Sequence, residues 1–68
     1  MTYAVTVATH FPHQTLRCEI LLTNDPLEAS AAFCRAIVEH TGSPVPMTIE
    51  HTQYGRRRSL AELPACAS

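Results

Sequence analysis

Tyr3-Ala4-Val5-Thr6-Val7-Ala8-Thr9-His10-Phe11, the break Pro12-His13-Gln14, and then Thr15-Leu16-Arg17-Cys18-Glu19-Ile20-Leu21-Leu22-Thr23 carry the pattern from which the rest of the architecture follows. Residues 3–11 alternate. Tyr3, Val5, Val7, Thr9 and Phe11 share one face, and Ala4, Thr6, Ala8 and His10 share the other. Period two with β-branched residues predicts a half-buried strand. Residues 15–23 alternate again, with Leu16, Cys18, Ile20 and Leu22 read as inward and Arg17, Glu19 and Leu21 as outward. Two such strands across a short break predict an antiparallel hairpin.

Downstream, Asn24-Asp25-Pro26 reads as a helix start. A short polar side chain accepts from the free N–H groups of the first turn, and proline suits the first helical position. The helix is expected to run to about Thr41, with Gly42 as its stop. A helical wheel puts Leu27, Ala31, Phe33, Cys34, Ile37 and Val38 on one broad apolar face, with Glu28, Arg35 and Glu39 opposite. The strip of Ala29, Ala32 and Ala36 between them has two readings, a surface that another element can approach closely or simply good helix formers, and the second is preferred.

Val45 to Tyr54 reads as a third strand with Val45, Met47 and Ile49 inward and Pro46 at its start or edge. Gly55 marks a turn. Beyond it two readings stay open: a fourth strand around Arg57–Leu60, or a helical turn opened by the capping box Ser59-Leu60-Ala61-Glu62. The expected fold is α+β, a three- or four-stranded antiparallel sheet with one helix packed on one face. Residues 1–63 form its single domain and residues 64–68 a flexible tail. A helix returning after a hairpin places the third strand beside the first, giving the order 2-1-3. The uncovered face would carry Ala4, Thr6, Ala8, His10, Arg17, Glu19, Leu21, Thr48, Glu50, Thr52 and Tyr54, which suits solvent or a partner.

A chain of 68 residues buries only about 60% of its unfolded surface, so a deep two-walled catalytic cleft is hard to build on it. The expectation is a binding protein and not an enzyme. Net charge is −1, with six acids and five bases, all of them arginine. This is neither a strongly basic nucleic-acid binder nor a wholly acidic surface. The absence of lysine fits the coding bias of a GC-rich genome. No apolar run reaches the ~18 residues of a membrane span, and the first residues lack the pattern of a secretory signal, so a cytoplasmic location is expected.

The three cysteines, Cys18, Cys34 and Cys66, form no CxxC pair, and an odd number does not suit a disulfide scaffold. Cys18 and Cys34 fall on predicted core faces, where a free thiol acts as a small hydrophobe. His10 and His13 form an HxxH beside them, which makes a metal or redox module the third functional reading. No spacing matches a zinc finger or ribbon, and neither metal nor cofactor is expected. His10, His40 and His51 read as boundary residues rather than switches.

The one charge cluster is Arg56-Arg57-Arg58, preceded by Tyr54 and Gly55. Arginine pairs its planar fork with carboxylates or phosphates, and tyrosine stacks on a base or a protein aromatic. The expected partner-binding residues are Tyr54, Arg56, Arg57 and Arg58, supported by Arg17, Glu19 and Glu50 on the uncovered sheet face. The competing reading is a solvated turn, or arginines paired with Glu50 and Glu62.

In its length, in the hairpin–helix–strand order of residues 3–54, and in the basic, aromatic-flanked turn Tyr54–Arg58, the chain resembles the very small β-β-α-β proteins made by bacteriophages, including several anti-CRISPR proteins. No shared motif carries a functional residue across. The resemblance implies a non-enzymatic inhibitor that docks on a host nucleoprotein complex and blocks its nucleic-acid path. The alternative is a small RNA- or DNA-binding module using Arg56–Arg58, with weak direct nucleic-acid contact. Either a monomer or a homodimer fits these readings.

Overall fold

The computed structural model describes residues 2–66. Strands β1 (Tyr3–His10) and β2 (Thr15–Thr23) precede helix α1 (Pro26–His40), and β3 (Met47–Gln53) and β4 (Arg56–Leu63) follow it. All four strands join one sheet in the order β2-β1-β3-β4, every neighbouring pair antiparallel. The fold is α+β, and the fourth strand is present. Residues 59–62 lie within it, so the helical turn read from Ser59 and Glu62 does not form.

Each boundary has a local cause. Asp25 caps α1 by accepting from the N–H of Leu27 at 2.9 Å, and Pro26 occupies the first turn. Thr41 caps the other end, followed by Gly42 at φ +91°. β3 begins after Pro46, whose carbonyl accepts from the His10 N–H at 3.0 Å. The strand is thus shorter than the Val45–Tyr54 span, because proline has no N–H to give the ladder. Beyond β4, the Cys66 N–H donates to the Ser43 carbonyl at 2.8 Å. The tail expected over residues 64–68 includes residues 67 and 68, which lie outside the described residues.

The core is thin. Val5, Val7, Ala36, Met47 and Ile49 form its buried centre, with Leu21, Ala32, Phe33, Ile37, Ala61 and Leu63 packed around them. Val5 and Ile49 are the largest fully buried side chains.

Two expectations about facing are corrected. On β2 the alternation breaks: Val5 pairs with Leu21 but Thr6 pairs with Glu19, leaving Ile20 as the extra residue of a bulge. Downstream of it every side chain changes face, so Leu21 joins the core and Leu22 is left exposed. On α1 the alanine strip faces the sheet: Ala29 and Ala36 are buried and Ala32 is partly so. Leu27 and Val38 are 79% and 76% exposed. Small side chains let the helix approach the strands closely, with Phe33 and Ile37 filling the flanks. Cys34 lies on the outer side of α1, and Cys18, paired with Val7 upstream of the bulge, is left uncovered on the outer strand; both are exposed thiols, not core residues.

His51 also departs from its reading as a boundary residue. It is buried on the core face, with ring centroids 5.9 Å from Tyr3 and 6.0 Å from Phe33.

Candidate binding surface

Tyr54 and Gly55 form a two-residue connection between β3 and β4, with Gln53 paired to Arg56. Both connecting residues have positive φ, +53° at Tyr54 and +75° at Gly55. This is the backbone of a tight hairpin turn whose twist matches that of the strands, and its first position normally carries Asn, Asp or Gly. Gly55 adopts it freely. Tyr54 does so against the preference of a bulky side chain, and stands 65% exposed at the tip.

The arginines leave the turn in different directions. Thr52 pairs with Arg57 while His51 pairs with Ser59, so Arg58 is the extra residue of a second bulge. Its Nη1 donates to Oε1 of Gln53 at 2.5 Å. Arg57 falls on the face that α1 leaves open. Among the described residues, no ion pair or side-chain hydrogen bond engages Arg56 or Arg57. The pairing considered with Glu50 and Glu62 does not close.

Register sets out the open face in rows across the sheet. Arg17, Ala8, Thr48 and Glu62 form one row; Glu19, Thr6, Glu50 and Leu60 the next; Leu22, Ala4, Thr52 and Arg57 the third. The inner strands contribute mostly small and polar side chains, with the charged Glu50 among them, and Arg17, Glu19, Arg57 and Glu62 lie on the two outer strands. A depression of about 120 Å³ is lined by Arg17, Glu50 and Arg57 together with Thr6, Ala8, His10, Thr48 and Leu60. A second, open concavity is lined by Gln53, Tyr54 and all three arginines. Arg57 lines both, which joins the turn to the face.

Of the residues singled out from sequence, Arg17, Glu50 and Arg57 therefore meet in one depression. Tyr54, Arg56 and Arg58 gather at the tip. Glu19 stands apart on the outer strand, opposite Thr6. His10 and Thr48, expected on this face but not as partner-binding residues, line the same depression, and Leu60 joins them without having been expected there. Leu60 enters it only because β4 forms. His10 is fixed by Thr15 Oγ1 at 3.2 Å from Nδ1 and Thr48 Oγ1 at 2.6 Å from Nε2.

Among the described residues, no group of three or more His, Cys, Asp or Glu side chains gathers where it could hold a metal ion. Cys18 and Cys34 belong to different layers of the fold. Among the described residues no helix is long and apolar enough to cross a membrane.

Compared with known proteins, the chain matches no family model, no curated protein and no solved structure.

Proposed function

We propose that this chain is a non-enzymatic binding protein, encoded by a phage or mobile element, that docks on a host nucleoprotein complex such as a CRISPR surveillance complex. It occupies that complex's nucleic-acid path in the host cytoplasm. The observation that carries the reading is Tyr54. A bulky aromatic in the left-handed region costs on the order of 1 kcal/mol or more, where Asn would cost little. Here that residue is exposed at the tip and is followed, after Gly55, by three arginines, two of them without a partner in the described chain. Strain retained at an exposed aromatic is accounted for by a role in contact.

Arginine and tyrosine are enriched among the residues that dominate interfaces. An arginine tip presented on a rigid hairpin suits a groove lined by acidic side chains or one shaped for phosphates. The adjoining open face, small at its centre and mixed in charge, supplies a flat flank for the same partner. Three arginines alone support only weak, salt-sensitive nucleic-acid binding. That favours docking on protein within the complex over direct capture of the strand.

The test is affinity capture from bacterial lysate with and without nuclease, followed by competition with oligonucleotide. A discrete complex that survives nuclease, and from which the protein displaces bound nucleic acid, supports the reading. Recovery of only heterogeneous, nuclease-sensitive material replaces it with direct nucleic-acid binding.

A further inference from the structure

Helix α1 is apolar on two opposite sides. One side, Ala29, Ala32, Phe33, Ala36 and Ile37, faces the sheet. The other carries Leu27, Ala31, Cys34 and Val38, all exposed, with Leu27 and Val38 at 79% and 76%. Spacings of four, three and four residues align them in one stripe along the helix, the pattern of a coiled-coil seam. A helix with apolar residues on both sides is normally covered on both.

The sequence of the stripe points to what covers it. An antiparallel copy of the same helix, centred between Ala32 and Phe33, sets Leu27 against Val38 of the second copy and Ala31 against Cys34 of the second copy. The two-fold axis then repeats both layers, so large meets branched and small meets small throughout. The same register acts on the charges. Glu28 and Arg35 lie on one flank of the stripe, two turns apart, too far along the helix to meet each other. Among the described residues no ion pair engages either of them. In the antiparallel pair, Glu28 of each copy falls between the same two layers as Arg35 of the other. On that flank a groove between α1 and β2, lined by Ile20, Glu28, Ala31 and Arg35 among others, adds apolar surface beside the seam.

We propose that the chain forms a two-fold homodimer through the outward stripe Leu27–Ala31–Cys34–Val38 of α1, packed antiparallel and closed by reciprocal Glu28–Arg35 pairs. The interface is isologous, so it stops at two copies. It lies on the far side of α1 from the sheet and leaves the open face free. The start of α1 and the Tyr54–Arg58 turn share one end of the sheet, so antiparallel pairing puts the two arginine turns at opposite ends of the dimer. A seam this short buries less than about 1,200 Å² and gives a weak dimer, dissociating at about micromolar or higher concentration.

Sedimentation equilibrium of the full chain from about 5 µM to about 500 µM reads the proposal directly. The expected mass rises from one copy toward two. The paired variant Leu27→Asp with Val38→Asp, at positions already exposed, keeps the helical circular dichroism and stays at one copy throughout. Glu28→Arg or Arg35→Glu alone weakens association about tenfold, and the two together restore it to within about twofold. A single-copy mass at every concentration overturns the dimer. A dimer indifferent to Leu27→Asp with Val38→Asp places it on another surface and overturns this interface. Failure of the paired charge swap to restore association overturns the antiparallel register.

Discussion

Arg58 donates a hydrogen bond from Nη1 to Oε1 of Gln53 across the β3–β4 turn, at 2.5 Å. The contact fixes one of the three arginines before any partner arrives. It also joins Gln53, a neutral residue just before the turn, to the proposed binding surface. Replacing Gln53 with Ala keeps every charge and frees Arg58. The loss of one such bond in a pre-organised side chain corresponds to about 0.5–1.5 kcal/mol. Affinity for the captured partner is expected to fall about two- to tenfold, mostly through faster dissociation. Surface plasmon resonance checks this, and an unchanged dissociation rate contradicts it.

Tyr54 sets stability against binding. Its φ of +53° is the conformation Asn adopts most readily after Gly. Tyr54→Asn should therefore stabilise the fold by about 0.5–1 kcal/mol and weaken partner binding about tenfold or more. Thermal melts beside binding titrations show both effects in one protein. A variant that binds as well as the parent removes Tyr54 from the interface.

His51 carries a buried Nε2 with no hydrogen-bond partner among the described residues. An unpaired buried polar atom costs about 1–3 kcal/mol. His51→Leu keeps approximate volume between Tyr3 and Phe33 and removes that atom. The melting temperature is expected to rise by about 4–8 °C for each kcal/mol gained in a domain of this size. A fall in melting temperature would mean that Nε2 is satisfied in solution.

Ile49 and Val5 concentrate the packing of a small core. Large-to-small replacement at such a site costs about 2–5 kcal/mol, a large part of the roughly 5–15 kcal/mol available to a native protein. Ile49→Ala should shift the urea midpoint strongly downward and leave a measurable unfolded population without denaturant. A midpoint that barely moves would mean that the stability lies elsewhere, as in a helix-mediated dimer.

Much of this architecture was legible in the sequence, because period-two runs, a capped helix and a glycine turn each act locally. The strand pairings, the order β2-β1-β3 and the positions of Arg17, Glu19 and Glu50 on the open face follow from those signals. The bulges do not. Ile20 and Arg58 are extra residues only relative to the strand they pair with, and nothing near them in sequence marks the slip. One slip exchanged the faces of Leu21 and Leu22, and the other separated Arg57 from Arg58. The helix misled for a different reason: it has two apolar sides, and only contact with the sheet shows that the alanines take the inner one. Arg57's link between turn and face depended on β4, whose sequence also fits a capping box.

The claim that the arginine turn is the contact surface is tested most directly by Arg56→Glu, Arg57→Glu and Arg58→Glu together. Their affinity for the captured complex would be measured after nuclease treatment and beside the parent protein. All three side chains are exposed, so circular dichroism should be unchanged. Binding should fall by about a hundredfold or more, as expected when the residues that dominate an interface are reversed in charge. Affinity within about twofold of the parent would place the contact elsewhere and contradict the account.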